Sequence, residues 1–211
     1  SLPINSGVFC LKKDRFQDVV WIGTDGQGVY LYSNPLYSIK SMVLSNYTEK
    51  IERPVRAIYL DDECTFWVGT KGNGILKIYD YEFDKNISDC RAEVLTTSNS
   101  ALSSNAVYCF AKSHRNLLWI GDEEGLTYYS YREKRIKSIP IRIGNEDFKY
   151  IHDIYETADS ELWLASVGMG VVKARIAGTP DNPVIVDAQR YIINDGELGS
   201  NYFFTIYAEN E

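Results

Sequence analysis

The chain has 211 residues, 45% hydrophobic and 24% charged, with a formal charge of −7, a composition that excludes a disordered polyampholyte. A nucleic-acid binder needs a positive field to displace phosphate counterions, and the densest basic cluster, Arg132, Lys134, Arg135 and Lys137, is interrupted by Glu133, so that class is excluded too. No apolar run approaches the length of a membrane span. No signal peptide is visible, and the opening Ser1-Leu2-Pro3 reads as an excised start. Tyrosine supplies 16 of the 28 aromatics, and its half-polar ring suits a pleated surface, which leans toward an all-β chain.

In chain order, Val8 and Leu11 open a first strand, and a turn over Lys12–Asp18 leads to Val20-Trp21-Ile22-Gly23-Thr24. Gly28 closes the next turn, Val29–Tyr32 forms a third strand, and Ile39–Leu44 a weaker fourth. The same order returns from Val55 and Ile58 through Asp61-Asp62-Glu63 to Phe66-Trp67-Val68-Gly69-Thr70, then Gly74, Ile75–Tyr79 and Glu93–Leu95. A third pass runs from Val107 and Phe110 through Ser113-His114-Arg115-Asn116 to Leu118-Trp119-Ile120-Gly121-Asp122, Gly125 and Ile136–Ile141. A fourth runs from Ile151 and Ile154 through Thr157-Ala158-Asp159-Ser160 to Leu162-Trp163-Leu164-Ala165-Ser166, Gly170 and Gln189–Ile193. The tryptophans are 46, 52 and 44 residues apart, and Val55, Val107 and Ile151 each stand 12 residues before theirs.

A four-stranded unit of about 40–45 residues is the size of a propeller blade. One such sheet buries neither face alone, and stacking the blades solves this. The expected fold is all-β, a partial β-propeller of four four-stranded antiparallel blades at 2–46, 47–97, 98–143 and 144–196. The first strand of a fifth, Tyr202–Tyr207, lies in 197–211. Trp21, Trp67, Trp119 and Trp163 are expected to fill the wedges between blades. Gly23, Gly69, Gly121 and Ala165, two residues on and on the same face, leave them room.

Other chemistry is weakly signalled. Cys10, Cys64, Cys90 and Cys109 form no C-x-x-C and are expected to be free, mostly buried thiols. Gly23–Gly28 and Gly69–Gly74 are glycine-rich but lack a G-K-[ST] ending and lead into strands, so they read as turns and not as phosphate cradles. His152, in an inner strand, and His114, in a turn, make no metal site. Asp61-Asp62-Glu63 reads as a solvated turn and not as a calcium loop. Neither metal nor cofactor is expected. The better ligand candidates are the loops on one rim: the turns after the Trp strands, and the connections Glu52–Pro54, Thr96–Asn105, Gly144–Lys149 and Asp195–Asn201. Asp25, Gln27, Lys71, Asn73, Glu123, Glu124 and Met169 are the candidate ligand-binding residues, chosen by their place in the repeat.

Leu102-Ser103-Ser104-Asn105-Ala106-Val107, followed by Leu118-Trp119-Ile120-Gly121 and Gly125-Leu126, resembles the two-component regulator propeller repeat. Leu198-Gly199-Ser200-Asn201 resembles the opening of a further copy, and Asp122 and Ala165-Ser166 depart mildly from the pattern. The resemblance implies the periplasmic, extracytoplasmic sensor part of a bacterial inner-membrane two-component protein. Its histidine kinase and membrane span would lie outside these 211 residues, and an oligosaccharide ligand is implied. The domain itself is then not an enzyme. The alternatives are an interaction scaffold without a small ligand, and a glycan-active propeller using carboxylates such as Asp122, Glu123 and Glu124. Open blade ends are expected to drive self-association.

Overall fold

The structure is a computed structural model and describes residues 3–33, 38–43, 51–82, 85–193 and 198–209. These form four four-stranded antiparallel sheets and one two-stranded sheet, in two compact units. The first unit is Ser1–Thr96 with Asn105–Val107, and the second is Thr97–Ser104 with Tyr108–Glu211. The first unit holds the sheet β1 (Val8–Lys13), β2 (Val19–Thr24), β3 (Val29–Ser33), β4 (Ser38–Ser41). It also holds β5 (Val55–Leu60), β6 (Phe66–Thr70), β7 (Ile75–Ile78), β8 (Ala92–Leu95). Apart from Val107, the second holds β9 (Val107–Lys112), β10 (Leu117–Asp122), β11 (Leu126–Ser130), β12 (Arg135–Ser138). It also holds the hairpin β13 (Arg142–Ile143)/β14 (Glu146–Asp147) and the sheet β15 (Ile151–Glu156), β16 (Glu161–Ser166), β17 (Gly170–Thr179), β18 (Asn182–Tyr191). This is the expected all-β architecture of consecutive propeller blades, except that Tyr202–Tyr207, expected as the first strand of a fifth, makes only an isolated bridge from Tyr202 to Val167.

The fourth strands differ in extent from their expected ranges. β4 lies at Ser38–Ser41, with Leu44 outside the described residues, and β12 ends at Ser138 instead of reaching Ile141. The largest difference is β18, which starts at Asn182 where Gln189 was expected. β17 and β18 form a ten-residue-long hairpin whose turn is tied by the Asn182 N–H donating to Thr179 Oγ1 at 3.2 Å. The expected boundaries after residues 46 and 196 fall within or beside residues outside the description, and that after residue 143 falls in the β13–β14 turn.

Within each unit the Trp face of one blade packs on the inner strand of the next. A Cβ on Gly23 would lie 2.5 Å from Cys10 Sγ and 2.7 Å from Val55 Cγ1, and one on Gly121 would lie 2.5 Å from Cys109 Sγ and 2.6 Å from the Ile151 carbonyl oxygen. Only glycine admits so close an approach. Trp21 meets Phe66 at 4.7 Å and Tyr81 at 6.0 Å between ring centroids, both edge-on. Trp21, Trp67 and Trp119 are buried. Trp163 is half-buried, stacked on Tyr191, with the Lys173 ammonium over its ring.

The buried indole N–H groups need acceptors, and the residue closing each inner strand decides where they come from. In the first two blades it is aspartate. Asp14 accepts from Phe16 N, Gln17 N and Trp21 Nε1 at 2.6 to 2.9 Å, and Asp61 accepts from Glu63 N, Thr65 N and Trp67 Nε1 at 2.8 to 2.9 Å. Asp61 is therefore a buried tryptophan anchor, which corrects its reading as part of a solvated turn. The third blade has Ser113 there, too short to reach the indole. Glu156 of β15 substitutes, taking Trp119 Nε1 at 2.6 Å with the Arg115 guanidinium 3.7 Å from its other oxygen.

A bulge recurs near the start of the inner strands. The ladder slips between Val8 and Cys10, Val55 and Ala57, and Ile151 and Asp153, re-aiming the extra residue. Phe9, Arg56 and His152 each enter a ring stack within their own unit. Arg56 lies over Phe9 at 3.6 Å, Tyr108 stacks on His152 at 4.2 Å, and His152 meets Phe204 at 5.4 Å. His152 is thus a rung in a stack, and His114 is exposed.

The C-terminal segment repeats an arrangement seen earlier in the chain. The Asn105 carbonyl accepts from Gly72 N and Gly74 N at 2.8 and 2.9 Å, and the Asn201 carbonyl accepts from Gly168 N and Gly170 N at 2.9 and 3.1 Å. Isolated bridges Lys71–Ala106 and Val167–Tyr202 follow in the same relation. Residues 201–206 hold to the fourth blade as Asn105–Val107 hold to the second, with Asp153 Oδ2 accepting from Thr205 Oγ1 and Ile206 N at 2.9 and 2.8 Å.

Candidate functional site

All four cysteines are free thiols, and only Cys90 and Cys109 are fully buried, fewer than expected. Cys10 and Cys109 fill the space left by Gly23 and Gly121, and burial pushes the Cys10 thiol up to about 11 and Cys109 well above its ordinary range. They are packing groups and not nucleophiles. Among the described residues no group of three His, Cys, Asp or Glu could hold a metal ion.

The rim of the third blade is built differently from the others. β10 ends in Asp122, and residues 123–125 turn the chain into β11, with Gly125 at φ +146°. After β12 the Ile139 N–H returns to the Leu126 carbonyl at 3.0 Å. Ile139, Ile141 and Phe148 are buried and anchor the short β13–β14 hairpin, whose two-residue Gly144-Asn145 turn pairs Ile143 with Glu146. Between hairpin and turn lies a cleft of 430 Å³, within the range of small-ligand sites.

Its floor is Leu126, Ile141 and Phe148, and its walls carry Ser103, Ser138, Glu124, Lys149, Arg142 and Asp147. Lys149 pairs with Glu124, and Arg142 with Asp147 at 2.9 Å. Two acids and two bases sum to no net charge. The walls thus offer both donors and acceptors beside an apolar base, an arrangement that suits a neutral polyhydroxyl ring better than an isolated ion.

Of the residues chosen from the sequence, Glu124 lines this cleft. Met169 lies beneath it, its Sδ 3.3 Å from the Lys149 N–H, and Glu123 accepts from the Ser104 hydroxyl at 3.4 Å. Asp25, Gln27, Lys71 and Asn73 belong to the first unit and make structural contacts. Gln27 Oε1 accepts from Asn5 N and Ser6 Oγ, and Asp25 N donates to the Gly7 carbonyl. Lys71 N donates to the Pro54 carbonyl, and Asn73 N to Thr70 Oγ1. Two of the expected rim connections do reach the cleft, through Ser103 and through Asp147–Lys149. Arg142, Ser138 and the individual roles of Ser103, Asp147 and Lys149 were not singled out. The Gly-Asn pair at 144–145 is the local signal that marks the hairpin carrying two of them, Arg142 and Asp147.

No family model matches the sequence. One curated protein, translation initiation factor 6 of Saccharolobus solfataricus, is 29% identical over 140 residues, 60% of this chain and 57% of that protein. The chain thus spans little more than half the length of that relative. The fold matches solved structures. The extracellular domain of the hybrid two-component system BT3049 from B. thetaiotaomicron superposes with a TM-score of 0.68 at 24% identity, over 95% of this chain and 25% of that one. PorZ, a surface component of the type-IX secretion system of Porphyromonas gingivalis, gives 0.64 at 14% identity, over 94% of this chain and 29% of that one. The extracellular domain of BT4673 from B. thetaiotaomicron gives 0.50 at 14% identity, over all of this chain and 40% of that one. The match covers a quarter to two-fifths of these larger chains.

Proposed function

We propose that this chain is a ligand-binding part of a bacterial sensor, the periplasmic portion of a two-component signalling protein, and that it takes a neutral oligosaccharide in the third-blade cleft without transforming it. The observation that supports the reading most is the cleft's balanced wall, with each base matched to its own acid over an apolar floor. Sugar hydroxyls both donate and accept, so they replace or join these pairs without stranding a charge. The repeats' resemblance to two-component regulator propellers and the likeness of fold to extracellular sensor domains support the signalling context. A nucleic-acid partner is disfavoured by the chain's charge of −7, which repels phosphate backbones.

A thermal-shift panel of neutral, uronic and sulfated oligosaccharides tests this. A neutral glycan is expected to raise the melting temperature, by about 4–8 °C for a gain of about 2 kcal/mol at saturating ligand in a chain of this size. Equal or larger shifts with sulfated glycans would contradict the neutral-ligand reading. A second reading, an interaction scaffold without a small ligand, draws support from Tyr202, Phe204 and Tyr207, which are 65%, 64% and 85% exposed. A silent panel with retained binding of a protein partner would favour it.

A further inference from the structure

We propose that Lys149 decides which charge class of sugar the third-blade cleft admits, and that Ser166 of the fourth blade is the positioning residue that holds Lys149 in place. The charge selection rests on the ligand reading above, whereas the placement of Lys149 stands on the repeat.

Lys149 lies two residues before the inner strand β15, as Asn105 lies two before β9. The Asn105 carbonyl accepts from Gly72 N and Gly74 N and so closes the turn of the preceding blade, and the Asn201 carbonyl does the same for Gly168 N and Gly170 N. The turn that precedes Lys149 is closed in another way. It is one residue shorter, with Gly121 to Gly125 in place of Gly69 to Gly74, and Asp122 stands where Thr70 does. The Asp122 carboxylate accepts from Glu124 N and Gly125 N at 2.8 and 3.0 Å. The Lys149 carbonyl is thereby released to a different donor, the Ser166 hydroxyl at 2.7 Å. In the first two blades the hydroxyl at that register stays within its own turn, Thr24 donating to the Gly28 carbonyl and Thr70 to the Gly74 carbonyl. Asp122, Lys149 and Ser166 are thus three departures from the repeat that amount to one exchange of partners.

The main chain around Lys149 is tied on both sides. The Lys149 N–H meets Met169 Sδ at 3.3 Å. Tyr150 N donates to the Glu123 carbonyl at 3.0 Å, and Val167 N donates to the Tyr150 carbonyl at 3.2 Å. Tyr150 sits at φ +55°, a left-handed conformation that a tyrosine keeps only where its surroundings impose it. The Lys149 side chain lines the cleft beside Leu126, Ile141 and Phe148, and its ammonium pairs with Glu124. An ammonium carries three donors, so others remain for ligand oxygens. Arg142 and Asp147 are matched to each other. Lys149 is then the counterweight to Glu124: without it the wall carries an unmatched carboxylate, and without Glu124 it carries an unmatched ammonium. An unmatched charge at a binding wall favours a ligand of the opposite sign and disfavours its own.

The test is calorimetric titration in mildly acid buffer with three oligosaccharides of one length: a neutral one, a glucosamine-containing cation and a glucuronate-containing anion. The unaltered protein is expected to bind the neutral probe best. Lys149→Met, which keeps the apolar stem, should weaken the neutral probe about three- to tenfold, since the pair is partly in solvent, and should put the cation first. Glu124→Gln should put the anion first. Ser166→Ala should weaken the neutral probe about threefold. In the ligand-free protein the same change should quicken amide exchange at Lys149 and Tyr150 roughly threefold or more by NMR, with Asn105 and Ala106 unchanged. The same order of probes in Lys149→Met and Glu124→Gln as in the unaltered protein would overturn the selection by Lys149. Amides indifferent to Ser166→Ala would overturn the positioning by Ser166. An unaltered protein silent to all three probes would sink the ligand reading and the charge selection with it, and quickened exchange at Lys149 would then still establish the positioning.

Discussion

Asp61 and Asp62 are neighbours in sequence with opposite fates. Asp61 is 1% exposed and accepts three hydrogen bonds, one from Trp67. The Asp62 side chain is half in solvent, paired with Arg15. Asp61→Ala leaves the buried Trp67 N–H and two turn amides without their acceptor and is expected to cost about 2–4 kcal/mol in urea denaturation. Asp62→Ala should stay within about 0.5 kcal/mol, as exposed pairs do. Equal losses would refute the anchor. Asp122 gives a pH signature of its own. Its carboxyl is raised to about 6 in the fold against about 3.9 in an unfolded chain. Between those values the folded protein holds more protons, so this group makes stability fall as pH rises from about 4 to 6. Asp122→Thr should flatten that slope in denaturation curves taken at pH 4, 5, 6 and 7, and an unchanged slope would place the cause elsewhere. An acidic turn is visible in sequence, but nothing local tells which of its carboxylates turns inward, because the indole it meets lies six residues away.

At the scale of the strand and blade, Trp119 and Trp163 share a register and differ in surroundings. Trp119 is fully buried, with Glu156 on its N–H. Trp119→Ala is expected to cost about 3–5 kcal/mol through the cavity it leaves. Trp163 is half-buried beneath Lys173 and Tyr191, and its replacement should cost roughly half as much. Matching losses in chemical denaturation would show that the fourth blade packs like the third. The first three strands of each blade are legible in sequence because Trp, the small residue after it and the turn glycine recur in fixed order. The fourth strands are legible in place but less so in extent, since they lie at the edge of each sheet, where the apolar pattern is weak. β18 opens on the apolar run Val184-Ile185-Val186 with Val184 and Val186 48% and 52% exposed, so it is defined by pairing with β17 and not by its own alternation. The stack of Arg56 on Phe9 in the first unit, and that of Tyr108, His152 and Phe204 in the second, were illegible for a related reason. Their members have different chemistry, and a bulge that depends on the partner strand's register sets their direction.

On the scale of the whole chain, and among the described residues, β1 and the C-terminal segment expose apolar side chains as β18 does. β1 leaves Val8 and Leu11 49% and 65% exposed, and the C-terminal segment leaves Tyr202, Phe204 and Tyr207 more exposed than half. Such patches mark association sites, and copies of this chain are expected to associate at micromolar concentration in light scattering. A monomer mass at every concentration would refute that. The cleft was only partly readable beforehand. Glu124 and the connections holding Ser103 and Asp147–Lys149 follow from the repeat, but their convergence depends on how the β13–β14 hairpin folds back over Ile141 and Phe148, which no single segment encodes. Chemical-shift mapping during titration with a neutral oligosaccharide bears most directly on the function assigned to that cleft. The amides of Ser103, Glu124, Arg142, Asp147 and Lys149 are expected to move together and saturably, with Asp25, Gln27, Lys71 and Asn73 unmoved. Shifts centred on the first-unit turns, or none at any concentration of a neutral glycan, would contradict it.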